Sequence, residues 1–178
     1  VFLKLVLGVM KPDGGHIYYL GQDVGVMNEW ELSKMRRRIG MLFQGAALFD
    51  SLSVAENIAY PLQEHFKYSD KEISKIVEAR LSMVGLMGVS DMMPSDLSGG
   101  MKKRVGLARA IATDPDVILY DEPTTGLDPA NTKRICNLIK KLQEKMGVTS
   151  IVVTHDMNAA FSVTDRIAMI YHRRFAFV

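Results

Sequence analysis

The sequence predicts an α/β fold with a mostly parallel sheet and an inserted helical segment. Two short apolar runs, residues 117–120 and 150–154, are typical of strands buried on both faces of a parallel sheet. A helical pattern separates them, and this strand–helix–strand order favours parallel pairing through right-handed crossovers. The stretch from 45 to 97 contains mainly helical patterns, which indicates an insertion between two sheet-forming parts.

The composition fits one globular domain with a buried core. The chain has 178 residues, 48% of them hydrophobic, and a formal net charge of +2. That charge is too small to indicate a nucleic-acid partner, so we expect none. Cys136 is the single cysteine, which excludes an intrachain disulfide and predicts an inert core thiol. No apolar run in the sequence approaches the roughly 18 residues of a membrane span.

The first elements are predicted from apolar periodicity and turn signals. Residues 1–8 have the pattern of a helix interior that ends at Gly8, so we expect the chain to be a piece of a longer protein. The remaining elements before the insertion are a strand at 16–20, a charged helix at 29–38 and a strand at 39–43 that ends at Gln44.

The helical segment carries the signals of two helices. Residues 54–60 form a short helical pattern that Pro61 is predicted to stop. Ser69 and Glu72 have the spacing of a capping box and open a second helix, which Gly85 ends. We therefore divide the single domain, residues 1–178, into a core part at 1–44, a helical subdomain at 45–97 and a second core part at 98–178.

In the second core part, helices and strands are predicted to alternate. One helix begins at Ser98-Gly99-Gly100, and another is capped by Asp128 and ends at Gly147. The last predicted elements are the strand at 150–154, a short helix from Asp156 to 161, a third strand of the same doubly wound sheet at 167–171 and a strand-like pattern at 174–178.

Polar side chains follow two of the predicted strands at their carboxyl ends. Asp121 and Glu122 end one strand and His155 ends the other, so neighbouring strands would place all three at one crevice. Two adjacent carboxylates are costly to bury without a cation, which indicates a metal or a reacting proton. Asp121 suits a metal, Glu122 a base that polarises water, and His155 a partner of a terminal phosphate. The alternative is a capped strand end and a surface histidine, both facing water.

The tripeptide Ser98-Gly99-Gly100 at a helix start is a candidate anion site. Its free N–H groups and the positive end of the helix dipole would face a phosphate, and the glycines allow close approach. Most Ser-Gly-Gly tripeptides are flexible turns, so this feature alone does not decide between the two interpretations.

Three motifs in one order give a specific resemblance. They are residues 97–104 (LSGGMKKR), 120–129 (YDEPTTGLDP) and 154–156 (THD). Together they resemble the nucleotide-binding subunit of ATP-binding cassette (ABC) transporters over nearly the whole chain. The resemblance implies a P-loop NTPase core of the RecA-like type, a helical ABC subdomain, and ATP and Mg²⁺ as cofactors.

The resemblance also implies roles for individual residues. It makes Glu122 the catalytic glutamate and His155 the switch histidine, whereas Asp121 is the Walker B aspartate that holds Mg²⁺. The nucleotide-binding set comprises Gln44, Ser98, Gly99, Gly100 and Asp128, and Gln44 also contacts the metal. Two copies would sandwich ATP head to tail, so that Ser98 and Gly100 contact the γ-phosphate held by the partner chain.

One departure concerns the phosphate-binding loop. The family uses a Gly-x-x-x-x-Gly-Lys-Ser/Thr loop just before the helix with which this chain begins, together with an aromatic residue that stacks on adenine. Neither is in the 178 residues. We interpret this as truncation, since Glu122 and His155 are intact, and we expect the chain alone to be inactive and poorly stable. The alternative is a non-catalytic regulatory cassette.

Residues 41–62 narrow the resemblance to the Mla-type phospholipid transport ATPase. That family works with membrane permease subunits and MCE-domain lipid-binding proteins in outer-membrane lipid asymmetry, which implies a peripheral position on the cytoplasmic face of the inner membrane. Importers of methionine or other polar solutes share the framework, and a soluble ABC ATPase of chromosome or ribosome function is a further alternative. The apolar residues beside Gln44 either line a groove for a permease helix or belong to the core: Leu48, Phe49, Leu52 and Val54.

Overall fold

The computed structural model describes residues 1–172 and 174–177, which form an α/β fold. The helices are α1 (Phe2–Val6), α2 (Glu29–Arg37), α3 (Val54–His65), α4 (Asp70–Met83), α5 (Gly99–Ala110), α6 (Pro129–Met146) and α7 (Met157–Val163). The strands are β1 (Tyr18–Tyr19), β2 (Gln22–Asp23), β3 (Ile39–Leu42), β4 (Val117–Asp121), β5 (Thr149–Val153), β6 (Met169–Tyr171) and β7 (Arg174–Phe177). Short 3₁₀ helices lie at Val24–Val26 and Pro94–Asp96.

A parallel three-stranded sheet with β4 at its centre organises the molecule. Strand β3 lies on one side of β4 and β5 on the other, and both pairings are parallel. Ile118, Leu119 and Tyr120 in β4 are fully buried, as a strand covered on both faces requires. The predicted parallel α/β fold is therefore confirmed, and all three strands end at the same edge of the sheet.

Helix α5 connects this sheet to the helical segment. It contacts β3 as well as α3 and α4, and its buried residues include Val105, Leu107 and Ala108. These residues belong to the larger core, which also takes in the inner faces of α3, α4 and α6. A smaller core beneath α1 and α2 covers the other face of the sheet at Leu119.

The predicted helix caps are largely as the sequence indicates. Ser69 accepts a hydrogen bond from the backbone of Glu72, whose carboxylate accepts one in return from the Ser69 backbone, so the capping box is confirmed. Helix α6 begins after Asp128 and ends at Gly147, which has a positive φ of 65°. Cys136 is buried on α6, as predicted.

The predicted end of the helix at 54–60 was wrong, because α3 continues through Pro61 to His65. Proline removes one backbone donor from the helix interior, which is unfavourable. Ile58 and Leu62, about one helical turn apart, both lie in the core, where they are 0% and 1% exposed. Burial of these side chains on both sides of Pro61 offsets the lost hydrogen bond.

The prediction of a third strand in the doubly wound sheet was also wrong. Among the described residues, strand β6 pairs with β7 alone, in an antiparallel hairpin outside the parallel sheet. Its three residues are exposed, so the apolar run at 167–171 does not mark a buried central strand. The strand predicted at 16–20 is reduced to Tyr18–Tyr19 in a second small hairpin. Of the strand-like pattern at 174–178, Val178 lies outside the described residues.

Within residues 1–172 and 174–177, no helix is both long enough and apolar enough to cross a bilayer.

A test of the packing between α5 and the sheet is available at Gly40. A Cβ at this position in β3 would overlap the backbone carbonyl oxygen of Ala110, which cannot move without shifting α5. We expect Gly40→Ala to lower the free energy of unfolding by about 1–3 kcal/mol, measured by urea unfolding. Gly14→Ala is the matched control, since its Cβ would meet no atom within 4 Å, and it should stay within about 0.5 kcal/mol of wild type. An equal effect of the two variants would contradict the close contact.

Candidate functional site

The candidate site lies at the edge where β3, β4 and β5 end. The β4–β5 ladder runs to the pair Asp121–Val153, and Glu122 follows directly. Glu122 has a left-handed backbone with a φ of 48°, which is uncommon for a residue other than glycine. Its N–H donates to the Val153 carbonyl at 2.9 Å, and its carbonyl accepts a hydrogen bond from Lys103 Nζ at 3.1 Å. The backbone that carries this carboxylate is therefore held on both sides.

The Glu122 carboxylate accepts hydrogen bonds at both oxygens. Oε1 lies 2.8 Å from His155 Nδ1 and accepts a bond of 3.1 Å from the His155 backbone N–H. Oε2 accepts from the hydroxyls of Thr125 and Thr154 at 3.0 and 3.2 Å. The structure therefore brings together Glu122 and His155, which the sequence placed on separate strand ends. These four contacts fix the carboxylate in one orientation.

The two groups shift each other's pKa in opposite directions. Burial raises the pKa of Glu122, but hydrogen bonds from His155, Thr125 and Thr154 and the charge of His155 outweigh burial, so it lies below its ordinary value. The hydrogen bond with Glu122, and then its negative charge, raise the pKa of His155 above its ordinary value. The Glu122 side chain is 18% exposed and that of His155 is 79% exposed.

The pair therefore stabilises the fold over a defined pH window. The contribution of His155 is complete below its ordinary pKa of 6.5 and is lost as the pH rises through the raised pKa. The contribution of Glu122 is complete above its ordinary pKa of 4.5 and is lost as the pH falls through the lowered pKa. Both contributions are complete between pH 4.5 and 6.5.

Asp121 differs from its neighbour because its carboxylate has no partner among residues 1–172 and 174–177. It is half-buried at the end of β4, and none of the described side chains donates to it or forms an ion pair with it. In this part of the chain no group of three or more His, Cys, Asp or Glu residues could hold a metal. A free carboxylate of this kind fits Mg²⁺, which commonly takes one or two protein ligands and completes its shell with phosphates and water.

Gln44 lies in the loop that follows β3 and is exposed. Its backbone carbonyl accepts a hydrogen bond from Lys103, so helix α5 holds the loop. Arg109, two turns further along α5, donates to the carbonyls of Ala46 and Ala47 at 2.7 and 2.8 Å. Both alanines have a positive φ, 63° and 47°. This loop therefore has an unfavourable backbone that α5 stabilises.

The sequence did not reveal the roles of Lys103 and Arg109. Lys103 stands in a basic run that reads as an ordinary exposed helix face. The available signal was spacing, since Lys103, Gly106 and Arg109 recur every three residues and so share a face of α5. That face contacts the loop, because a Cβ on Gly106 would lie 3.2 Å from the Ala46 Cβ.

The Ser98-Gly99-Gly100 segment forms the amino end of α5. Ser98 caps the helix by accepting from the Met101 N–H at 3.3 Å, and both Ser98 and Gly99 are exposed. None of the three makes a hydrogen bond with Glu122 or His155 in the described part of the chain. The segment therefore presents N–H groups to solvent and has no direct hydrogen bond to the Glu122–His155 pair in the described part of the chain.

Asp128 caps α6 and is not free at either oxygen. It accepts from the Asn131 N–H at 2.9 Å and from the Asn131 side-chain amide at 2.5 Å. The backbone hydrogen bond from Asn131 is the main reason that the pKa of Asp128 is lowered. The described contacts give Asp128 a structural function, and its predicted contribution to nucleotide binding stays a prediction.

A groove of about 440 Å³ opens beside the Gln44 loop. Phe43, Phe49 and Tyr60 line it and are each 42–43% exposed, and Arg36, Arg37 and Arg109 add positive charge. Of the four apolar residues predicted to line such a groove, only Phe49 does so. Val54 is fully buried in the core, while Leu48 is half-buried and packs against it, so the core interpretation is correct for these two. Leu52 is also half-buried and does not line the groove.

Comparison with known proteins gives consistent matches over most of the chain. The family model described as "ABC transporter" matches residues 1–125. The MlaF protein of Haemophilus influenzae, an "Intermembrane phospholipid transport system ATP-binding protein", is 47% identical over 163 residues, which are 92% of this chain and 62% of that protein. The "Probable ribonucleotide transport ATP-binding protein mkl" of Mycobacterium tuberculosis is 42% identical over 173 residues, 97% of this chain and 48% of that protein.

Solved structures of ATP-binding cassettes also match the fold of this chain. A dimeric ATP-binding cassette in a post-hydrolysis state, bound to ADP and Pi, has a TM-score of 0.81 and 36% identity and covers 91% of this chain and 72% of its own. The cbiO1 protein of Clostridium perfringens, part of the ABC transporter complex cbiONQ, has a TM-score of 0.89 and 29% identity and covers 99% and 70%. The chain spans 62% and 48% of the two curated relatives described above.

The Glu122–His155 contact gives a prediction for the titration of His155. In Glu122→Gln the carboxylate charge is lost, so the pKa of His155 should fall toward its ordinary value of 6.5. The measurement is the NMR chemical shift of the His155 ring protons against pH. Glu144→Gln, an exposed change on α6, is the control and should leave the titration of His155 unchanged. An unchanged pKa in Glu122→Gln would show that the two side chains are not in contact in solution.

Proposed function

Because the chain belongs to the ABC transporter family, we propose that it forms part of the ATP-binding and ATP-hydrolysing subunit of a membrane transporter. The observation that carries the proposal is the contact between Glu122 and His155 at the sheet edge, beside the unpaired carboxylate of Asp121. A fixed base, a histidine and a free metal-binding group are the parts that phosphoryl transfer to water requires.

Glu122 is proposed as the general base. Its lowered pKa keeps it ionised at neutral pH, and its four hydrogen bonds fix the direction in which it can accept a proton from an attacking water. A carboxylate with a lowered pKa is a weak base, so in this proposal Glu122 mainly orients and polarises the water. Positioning of this kind matters because phosphoryl transfer needs little covalent help from the protein.

His155 is proposed to join the base to the terminal phosphate. With the proton on Nδ1, the ring donates to Glu122 and leaves Nε2 for a ligand. The raised pKa of His155 increases the fraction that is doubly protonated, in which Nε2 can also donate to a phosphate oxygen. The 79% exposure of its side chain leaves the ring accessible.

Asp121 and Gln44 are proposed to hold Mg²⁺. The free carboxylate of Asp121 is suited to a divalent cation, and the exposed side chain of Gln44 follows the neighbouring parallel strand. When bound, the metal would neutralise charge that develops on the phosphates.

A second copy of the chain is proposed to complete the site. The amino end of α5, with Ser98 and Gly99 exposed and Gly100 half-buried, is suited to a phosphate held by the partner copy in a head-to-tail dimer. The dimeric cassette bound to ADP and Pi supports this arrangement by analogy. Asp128 accepts hydrogen bonds from Asn131, and a Cβ on Gly100 would lie 3.4 Å from the Asn131 side chain, so Asp128 is near the amino end of α5. We propose that Asp128 lines the nucleotide site through this neighbourhood.

Hydrolysis also needs a phosphate-binding loop with its lysine, which the 178 residues do not contain. The alternative proposal is therefore a regulatory cassette that binds nucleotide weakly or not at all. The complete coding sequence separates the two, because a Gly-x-x-x-x-Gly-Lys-Ser/Thr motif upstream of Val1 supports the enzyme.

The transported substrate is proposed to be a phospholipid, with the subunit at the cytoplasmic face of the inner membrane. The 47% identity to a phospholipid transport ATP-binding protein supports this proposal, and MCE-domain lipid-binding proteins would then be further partners. A ribonucleotide is the second candidate, because a relative named for ribonucleotide transport is 42% identical over 97% of the chain. The site described above is suited to a nucleotide, and in this proposal the partner subunits select the transported substrate.

The groove beside Gln44 is proposed to receive a helix of the permease. Its three half-exposed aromatic side chains suit the apolar face of such a helix, and its arginines suit acidic residues on it. Movement of a helix in this groove would reach Gln44 directly, since Phe43 lines the groove and precedes Gln44 in the chain.

The enzyme proposal is tested with Glu122→Gln in the complete protein, assembled with its membrane subunits in lipid vesicles. ATP hydrolysis should fall by about 10²–10⁴-fold, the usual contribution of a general base, whereas ATP binding should be retained. Phosphate release and nucleotide affinity are the measurements, and Glu144→Gln is the control. Undiminished turnover in Glu122→Gln would remove Glu122 from its proposed role.

The same vesicles test the substrate. Movement of a labelled phospholipid between membranes that requires ATP and is lost in Glu122→Gln would support phospholipid transport. ATP-dependent uptake of a labelled ribonucleotide, without lipid movement, would instead support the second candidate.

The groove is tested with the double change Phe49→Ala and Tyr60→Ala. The two rings lie 4.9 Å apart and are exposed, so their removal should leave the fold intact and weaken copurification with the permease. Tyr18→Ala, which removes a 65% exposed ring outside the groove, is the matched control. Normal copurification of the double variant would refute the docking proposal.

A further inference from the structure

Lys103 is a buried lysine that the proposed mechanism does not use. The residue is 4% exposed, and among residues 1–172 and 174–177 it is the one charged residue that is buried. It forms no ion pair with a carboxylate in this part of the chain. Its ammonium group instead donates to two backbone carbonyls, those of Gln44 and Glu122. Burying a charge is unfavourable, so this arrangement needs a physical reason.

The position of the two carbonyls supplies a physical reason for burying the lysine. The parallel ladder between β3 and β4 ends at the pair Leu42–Tyr120. Gln44 and Glu122 each lie two residues beyond that pair, where the strands no longer bond to each other. The Lys103 ammonium therefore bridges the two segments that follow β3 and β4, just beyond the end of the ladder.

Both linked segments have backbones that need outside support. Glu122 has a φ of 48°, and the loop after Gln44 contains Ala46 and Ala47 at positive φ. Non-glycine residues keep such conformations only where several surrounding contacts impose them. The Val153 carbonyl holds the Glu122 N–H, and Lys103 holds the Glu122 carbonyl on the other side.

The charge of Lys103 also acts on the site. Burial lowers the pKa of Lys103, while the nearby charges of Asp121 and Glu122 raise it, so the ammonium is within electrostatic range of both carboxylates. It forms an ion pair with neither carboxylate in the described part of the chain, and the Glu122 carboxylate is bonded to His155 instead.

We propose that Lys103 is a positioning residue that fixes the separation between Gln44 and Glu122 by holding their backbone carbonyls. The proposal rests on the function proposed above. In the described part of the chain, the hydrogen bonds of Lys103 go to backbone carbonyls, so it acts through the two residues it holds. Because Lys103 belongs to α5, it also connects this separation to Ser98, which caps the amino end of the same helix. A shift of α5 therefore moves the metal-binding loop and the base together.

The test compares Lys103→Met, which removes both donors and the charge, with Lys103→Arg, which keeps them. Lys140→Met, an exposed lysine in the middle of α6, is the matched control. Each variant is made in the complete protein, assembled with its membrane subunits, and rates are expressed per folded molecule after the Tm is measured. The expected results differ between the variants. For Lys103→Met we expect kcat to fall roughly ten- to hundredfold, the effect of misplacing catalytic groups by about 1 Å. The Kd for ATP should change by less than about threefold. Lys103→Arg should recover most of the rate, and Lys140→Met should match wild type.

A double change separates positioning from general stability. If Lys103 acts partly by placing Gln44, the loss from Lys103→Met should be smaller in a Gln44→Ala background than in wild type. If Lys103→Met does not fold, Lys103→Gln, which loses the charge and has a shorter side chain, takes its place in both comparisons.

Three results would overturn the proposal: an unchanged kcat per folded molecule in Lys103→Met, losses from Lys103→Met and Gln44→Ala that simply multiply, or a folded Lys103→Arg as slow as Lys103→Met. An inactive wild type would refute the proposed function itself. An active wild type with an equally active Lys103→Met would refute the role of Lys103 alone.

Discussion

Parallel pairing on both sides of β4 is the constraint on which the site depends. Because β3, β4 and β5 run in one direction, the residues that follow them emerge at a single edge of the sheet. Three residues that are far apart in the chain follow three different strands: Gln44, Glu122 and His155. Each of them lies within two residues of a strand end. The buried apolar residues of β4 carry no chemistry, but their burial against two covering cores fixes where the polar side chains lie.

Two adjacent carboxylates acquire different properties at this edge because the backbone turns between them. Asp121 still belongs to the β4 ladder, and its side chain has no partner in the described part of the chain. Glu122 has a left-handed backbone, and its carboxylate meets His155, Thr125 and Thr154. One carboxylate is therefore left for a cation and the other is oriented by hydrogen bonds, which suits the separate roles proposed for them.

The sequence predicted what depends on local pattern and missed what depends on tertiary packing. The strand predicted at 117–120, the capping box at Ser69 and the place of Glu122 at a strand end follow from short-range periodicity and turn chemistry. Pro61 misled the prediction because burial on both sides of it outweighs its local preference. The prediction for residues 167–171 was wrong because an apolar run does not show which strand it will pair with. Lys103 was not recognised, because its spacing from Gly106 and Arg109 indicates a shared helix face but does not show that this face is buried.

Helix α5 is the element through which these features act on one another. Its 12 residues span about 18 Å, with Ser98 at the amino end, Lys103 near the middle and Arg109 in the last turn. Arg109 holds the loop beside the groove, and Lys103 holds the same loop and Glu122. A rigid helix transmits displacement along its length, whereas three separate loops would not. A partner that moves either end of α5 must therefore also move Gln44 and Glu122 together, unless the Lys103 contacts break first.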